Sequence, residues 1–470
     1  MNDIFINRKK ELKWLEERYE KASKEGQLLI VYGKRRVGKT GLIKHFATGK
    51  PFVYYVAEKQ TAKEQLRQAG KAFIEGLGTP GLASIRFTGW RELFMYIAQE
   101  LQNCTKPVIV VVDEFPYLAE SDKGMSSYFQ VGWDEYLKDK KILMILMGSS
   151  ISMMYKHTLV YSAPLYGRRT GQWLLEPFTF EETKLFYPNT PFSKVFPMYA
   201  LSGGIPAYAR VLNGKLPLEE NLKQFVFPEG QFLAVEPELL LSEEFDDPRS
   251  YLSILKAIGL GRTKFSEIVQ ESQLPSTALP GYIKTLVSLR LIVKETPITD
   301  PIPEKSKRGT YSLADSFLRL YFGFIYPNIS LIKSGNYNAV FQHHGEILTN
   351  LIAKAYEDTS IEFIKKEIQN GVLPHFEELG RWWNKNTEID VVGLNQQDNT
   401  ILFVETKWNT KPIGTEVLNR LKAKSQQVQW HNENRKEYFA LIAKSGFTNE
   451  LIEQAKTEKI VLIQEDKALE

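Results

Sequence analysis

The stretch Leu28-Leu29-Ile30-Val31-Tyr32-Gly33-Lys34-Arg35-Arg36-Val37-Gly38-Lys39-Thr40 decides the fold. Five apolar residues run without a break into a glycine. That is the pattern of a strand buried on both faces, as in a parallel sheet. The eight residues 33–40 then fit G-x-x-x-x-G-K-[ST] in full, and a helix is expected to start near Lys39. Gly33 and Gly38 let backbone N–H groups close around phosphates. Lys34, Arg35, Arg36 and Val37 form the arc between them, with the Arg35 and Arg36 side chains read as solvated loop charges. Lys39 would reach the β and γ phosphates, and Thr40 would offer its hydroxyl to Mg²⁺. A random chain of this length shows the pattern roughly once or twice in a hundred, and the strand-loop-helix setting lowers that further. The implied ligand is ATP with Mg²⁺.

Other strands flank this one. Residues 108–112 form an apolar run ending in Asp113-Glu114. An acidic pair at that strand end places Asp113 beside the metal and Glu114 where it orients or deprotonates the attacking water. Residues 51–56 and 142–147 are further apolar runs, and amphipathic stretches at 61–77 and 90–101 lie between them. Strand and helix patterns alternating in this way predict an α/β fold, a parallel sheet covered on both faces. The run 142–147 leads into Gly148-Ser149-Ser150, where a small polar side chain either senses the γ phosphate or caps the next helix. Arg168 and Arg169 could stabilise charge on the transferred phosphoryl group, in cis or across the subunit boundary of a homo-oligomer.

The chain has 470 residues, 43% hydrophobic and 25% charged. At about 150 residues per domain this suggests roughly three domains and excludes rods and extended disorder. Sixty basic against 56 acidic residues leave a net charge of +4, so a nucleic-acid partner would need locally concentrated charge. Cys104 is the only cysteine, which excludes an internal disulfide and a cysteine zinc site. Met1-Asn2-Asp3-Ile4-Phe5 lacks a signal-peptide pattern, and no apolar run approaches the roughly 18 residues of a membrane helix. The expectation is a cytoplasmic protein with no membrane partner.

Four segments are expected: an ATPase core at 1–165, a lid or connector at 166–247, a three-helix unit with a hairpin at 248–315, and an α/β domain at 316–470. Glu236, Glu238, Glu243, Glu244, Asp246 and Asp247 read as a solvated connector or an exposed helix end. Helices at 251–258, 265–270 and up to 289, the last capped by Ser276 or Thr277, precede strands at 291–296 and 309–313. That order is a winged-helix pattern. Its third helix carries only Lys284 as a basic side chain, with Arg290 beyond, which is sparse for reading a major groove. A structural lid is therefore preferred. The loop with Lys305, Lys307 and Arg308 could touch phosphates.

Phe5-Ile6-Asn7-Arg8-Lys9-Lys10-Glu11-Leu12 resembles the F-x-x-R-x-x-E-L segment ahead of the P-loop in archaeal-type ATPases of the STAND and AAA+ group. VVDEFPYL, MGSS, PLYGRR and SGGIPAY are similar to that family's pattern. The likeness covers residues 1 to about 315. It implies that Pro206, in the G-x-P element, packs near the nucleotide base and that Arg8 and Glu11 lie close by. The remainder resembles the C-terminal domain of unknown function that accompanies this ATPase type.

Farther on, Glu388-Ile389-Asp390 opens an apolar strand, and Glu405-Thr406-Lys407 ends the next. Side chains alternate faces along a strand, so Glu405 and Lys407 project together, and pairing of the strands would bring Asp390 to them. Two carboxylates hold a divalent metal, and a lysine beside them positions water. That is the equipment of phosphodiester cleavage. The set resembles the PD-(D/E)xK nuclease superfamily, with Asp390 and Glu405 as metal ligands, Lys407 as the motif lysine, and Ile389 where that motif often has proline. Glu346 resembles the extra acid on that fold's first helix. Trp382 and Trp383 could stack on bases but read first as packing against the sheet, His343 and His344 as surface residues, and Lys422 and Lys424 as a solvated helix face or phosphate contacts. Expected function is an ATP-hydrolysing switch whose state controls a nuclease-like domain acting on DNA. The alternative is a signalling or DNA-binding ATPase whose C-terminal domain is only a binding platform.

Overall fold

A computed structural model of the protein describes residues 5–77, 86–245, 247–306 and 308–469. Met1–Ile4, Asp246 and Lys307, which carried expectations above, lie outside the described residues. The chain divides into two compact units, one of residues 1–178 and 205–207, the other of 179–204 and 208–470.

The first unit is built on five strands: β1 (Gln27–Tyr32), β2 (Phe52–Val56), β3 (Val108–Asp113), β4 (Ile142–Gly148) and β5 (Gly171–Leu174). They pair in parallel in the order β2-β3-β4-β1-β5. β1, β3 and β4 are buried along their whole length. Alternation splits them between two cores: Leu28, Ile30, Val108 and Val110 pack on one face, Leu29, Val31, Ile109 and Val111 on the other. β5 escaped the sequence reading because its four residues are only partly buried and form no continuous apolar run. The order sets β4 between β1 and β3. The loop after β1 and the acids after β3 therefore open at the same sheet end, where the connections diverge.

The second unit begins with helices Phe180–Lys184 and Phe192–Ser202. These were expected in a lid or connector. They pack instead within a cluster of rings, with Phe196 5.1 Å from Tyr356 and 5.2 Å from Trp408 between centroids. Helix Phe232–Glu244 buries Glu236 completely, and the Tyr208 hydroxyl donates to its Oε1 at 2.7 Å, so Glu236 is not a solvated acid. Helices Arg249–Gly259, Phe265–Ser272 and Leu279–Ser288 follow, then β6 (Ile292–Glu295) antiparallel to β7 (Thr310–Leu313). The third helix starts after Ala278 without a side-chain cap, so Ser276 and Thr277 do not cap it.

A 33-residue helix, Tyr337–Gln369, leads to a six-stranded sheet. Its strands are β8 (Glu378–Trp383), β9 (Glu388–Asn395), β10 (Thr400–Lys407), β11 (Lys436–Ala443), β12 (Val461–Gln464) and β13 (Lys467–Ala468). β8, β9 and β10 pair antiparallel, whereas β10, β11 and β12 are parallel. Helix Thr415–Ser425 makes the crossover from β10 to β11 and buries Leu418 and Leu421 in this sheet's core. Trp382 lies in the same core, as expected of a packing residue.

The chain leaves the second unit after Gly204, contributes residues 205–207 to the first, and returns at Tyr208. Gly203 and Gly204 take φ of 59° and 71° at that crossing, a left-handed pair that side-chain-bearing residues rarely adopt. No helix among the described residues is long and apolar enough to cross a membrane.

Candidate functional site

The loop at 33–40 is held closed from several sides. Gly33 passes so near β5 that a Cβ there would sit 2.4 Å from the Leu175 carbonyl oxygen, which makes glycine obligatory. Lys39, 7% exposed, donates to the carbonyls of Gly33 at 2.9 Å and Lys34 at 3.1 Å. Arg8 is buried, donating from Nη2 to the Val37 carbonyl at 2.8 Å and from Nη1 to Glu176 O at 2.9 Å and Glu11 Oε1 at 3.1 Å. Its guanidinium lies 4.0 Å from the Phe178 ring centre. Arg8 and Glu11 thus brace the loop's backbone. A Cβ on Gly38 would lie 3.9 Å from Pro206 Cγ, so Pro206 stands beside the loop as well.

Thr40 Oγ1 donates to Asp113 Oδ2 at 3.0 Å, joining the loop to the end of β3. The Tyr54 hydroxyl, from edge strand β2, donates to the same oxygen. Burial, and then this bond to Asp113, push the Tyr54 phenol well above its ordinary range, so it stays protonated and donating. Sequence reasoning missed Tyr54, which reads as one more apolar residue in a strand. Tyr54→Phe removes one hydrogen bond to a charged group. We expect the Mg²⁺ concentration for half-maximal ATP hydrolysis to rise roughly tenfold, the equivalent of about 1.4 kcal/mol. A magnesium titration at saturating ATP checks it.

Glu114 takes φ of 51°, and its backbone N–H donates to Asp113 Oδ1 at 2.9 Å. Its carboxylate accepts from the Ser149 hydroxyl and, at 3.3 Å, from the Ser149 backbone N–H. Ser150 Oγ accepts from Met153 N at 3.4 Å and caps the short helix Ile151–Met154. Ser150 thus takes the capping role, while Ser149 bonds the Glu114 carboxylate. Arg168 is tied to Asp134, with Nε and Nη2 each 3.1 Å from Oδ2. Arg169 Nη1 donates to the Thr158 carbonyl at 3.3 Å.

A second set of charged groups lies in the other unit. Asp390 is 8% exposed, and its Oδ2 accepts from Thr406 N at 2.7 Å. Burial, then the nearby Glu357 and Glu405 carboxylates, push its carboxyl up to about 6. One carboxylate oxygen from each of Glu357, Glu388 and Asp390 lies within 4.8 Å of the others. Glu405 accepts from Lys407 Nζ at 2.7 Å and from Lys424 Nζ at 2.8 Å. Burial opposes the Lys407 charge, yet Glu405 beside it raises the ammonium above its ordinary range. Pairing of β9 with β10 thus brings Asp390, Glu405 and Lys407 together, as their spacing predicted.

Two particulars differ from expectation. The helical acid is Glu357 and not Glu346. Both lie on helix Tyr337–Gln369, but eleven residues of separation set them about 16 Å apart along its axis, and Glu346 is exposed. Lys424 is no solvated charge but a partner of Glu405, while Lys422 pairs with Glu458. Trp383 Nε1 donates to the Arg308 carbonyl at 3.2 Å, and no base-stacking role is needed to explain it. An all-carboxylate set suits a hard divalent cation such as Mg²⁺.

Residues 5–208 match the family model of an ATPase domain predominantly from Archaea. Residues 321–427 match the model described as archaea bacterial proteins of unknown function. An uncharacterized protein of Methanocaldococcus jannaschii is 33% identical over 407 residues, covering 86% of this chain and 88% of its own length. An uncharacterized ATP-binding protein of the same organism is 49% identical over 47 residues, 10% of this chain and 76% of its own. The Walker-type ATPase of Pyrococcus abyssi superposes with a TM-score of 0.52 at 22% identity, over 68% of this chain and 97% of its own, a likeness of fold. The chain belongs to the archaeal-type ATPase family in which a P-loop ATPase domain is followed by this C-terminal domain of unknown function.

Proposed function

We propose that the protein is an ATP·Mg²⁺-hydrolysing switch whose nucleotide state governs a metal-dependent, DNA-cleaving site in its C-terminal domain. One observation carries the reading. A complete phosphate loop joined to Asp113 through Thr40 shares a chain with a Glu357/Glu388/Asp390 cluster, its Asp390 buried, beside Glu405 and Lys407. In the first unit, the loop N–H groups receive the phosphates, and Lys39 exchanges the Gly33 and Lys34 carbonyls for β- and γ-phosphate oxygens. Thr40 and Asp113 would hold Mg²⁺, which neutralises phosphate charge when bound. Glu114 orients the attacking water, and Ser149 fixes its carboxylate. Arg8 and Pro206 lie toward the base, and Arg168 would stabilise charge on the transferred phosphoryl group. In the second unit, Glu357, Glu388, Asp390 and Glu405 would hold a divalent cation that polarises the phosphodiester, while Lys407 positions water. Residues 248–315 form the winged helix that transmits nucleotide state to a C-terminal domain starting near 316. The working compartment is the cytoplasm.

A cleavage assay on single- and double-stranded DNA, with Mg²⁺ or Mn²⁺ and with or without ATP, tests this directly. Metal-dependent cutting that changes with nucleotide is the expected result. No cutting under any combination overturns the nuclease half. The binding-platform reading has its own observation, since Lys407 and Lys424 both neutralise Glu405. On that reading DNA binds without being cut, and divalent metal leaves its affinity unchanged.

A further inference from the structure

The turn after β4 carries an exposed aromatic cluster that no step of ATP hydrolysis uses. Tyr161 is 89% exposed, Tyr155 46%, and Tyr166 and Val160 37% each. They belong to one compact turn. Val160 N donates to the Tyr155 carbonyl at 3.0 Å and Tyr166 N to the Ala163 carbonyl at 3.0 Å. The Tyr161 and Tyr166 rings meet edge to face at 5.4 Å, and the Arg169 guanidinium lies 4.3 Å from the Tyr166 ring centre. Arg169 is held in that place by the Thr158 carbonyl. Tyr155 stands 5.8 Å from Tyr32, the residue before Gly33, so the cluster lies at the sheet end that carries the phosphate loop.

The turn itself carries cations and no acid: residues 149–170, which follow β4, include Lys156, Arg168 and Arg169 and not one Asp or Glu. Asp134, from outside that stretch, pairs with Arg168. Large rings left in water amid cations suit a ligand that is anionic and also offers flat apolar faces. An acidic peptide supplies only the charge. Duplex DNA hides its base faces inside the stack. Single-stranded nucleic acid supplies both, with phosphates for the lysine and arginines and bases for the tyrosines and the guanidinium plane. We propose that this turn, with Tyr155, Lys156, Tyr161, Tyr166 and Arg169, is a binding platform for single-stranded nucleic acid, distinct from the C-terminal acidic site and independent of whether that site cuts.

The test uses the full chain and a labelled oligothymidine of about 20 nucleotides, read by fluorescence anisotropy in EDTA so that no cleavage intervenes. The wild type should bind it more tightly than the same length of duplex. The double variant Tyr161→Ala, Tyr166→Ala should weaken binding at least tenfold while its thermal melting stays that of the wild type. Lys156→Ala should lower the slope of log affinity against log salt by about 0.7. Lys284→Ala, on the third helix of the proposed winged helix, should change neither. The proposal is overturned if the double variant binds as the wild type does, or if Lys284→Ala causes the loss. It is overturned equally if sedimentation shows that the wild type is a dimer which the tyrosine changes dissociate, because a second copy of the chain then occupies this face.

Discussion

Lys39→Ala should abolish ATP hydrolysis, with kcat/KM falling by at least about a hundredfold. Removing one charged donor from a developing phosphoryl charge has an effect of that order. Lys39 is buried against two carbonyls of its own loop, and the alanine leaves those carbonyls without it. We therefore expect a lower melting temperature without ligand, from a loss of about 1 to 3 kcal/mol. The decisive readout separates the two effects. ATP at a hundred times its Kd stabilises a protein by about 2.7 kcal/mol through mass action. The wild type should show that rise in melting temperature with ATP·Mg²⁺, and the variant should show none. An undiminished ATP-dependent rise in the variant would falsify the assignment of Lys39.

Asp390→Asn should abolish divalent-cation binding at the C-terminal cluster and, at the same time, stabilise the protein. Its carboxylate is buried among like charges, an arrangement that costs stability. The amide keeps an acceptor for Thr406 N and removes the charge. The pH dependence has a definite sign. The folded-state value of about 6 lies above the ordinary aspartate range, so ionisation favours the unfolded chain. The cost is fully present above about pH 6, shrinks as pH falls toward 4, and is absent below. The variant's advantage, on the order of 1 to 3 kcal/mol at neutral pH, should follow that curve in metal-free thermal melts. Calorimetric titration with Mn²⁺ should show heat for the wild type and none for the variant. Unaltered Mn²⁺ binding by Asp390→Asn would place the cation elsewhere.

Both sites were legible in part, and for one reason. Residues 33–40, Asp113-Glu114, Asp390 and Glu405-Thr406-Lys407 lie at the ends of apolar strands, where local spacing alone fixes which side chains project together. What the sequence left open depends on long-range packing. Tyr54 reaches Asp113 across neighbouring strands, and Lys424 reaches Glu405 from the crossover helix. Choosing Glu357 over Glu346 requires knowing where a long helix crosses the sheet, which helical period does not reveal. Glu236 read as solvated because the hydroxyl that satisfies it lies 28 residues away. β5 was hidden by its shortness and exposure.

The excursion of residues 205–207 into the first unit bears on how this gene can be divided. A coding sequence stopped after codon 178 encodes the phosphate loop without Pro206 beside it. One begun at codon 208 encodes the C-terminal sheet without Phe192 and Phe196, the rings packed against Trp408. The stretch matched as an ATPase domain runs to residue 208, and it includes helices that pack with the other half. No single cut yields two intact products, so recombination at one point cannot pass either half to another gene whole.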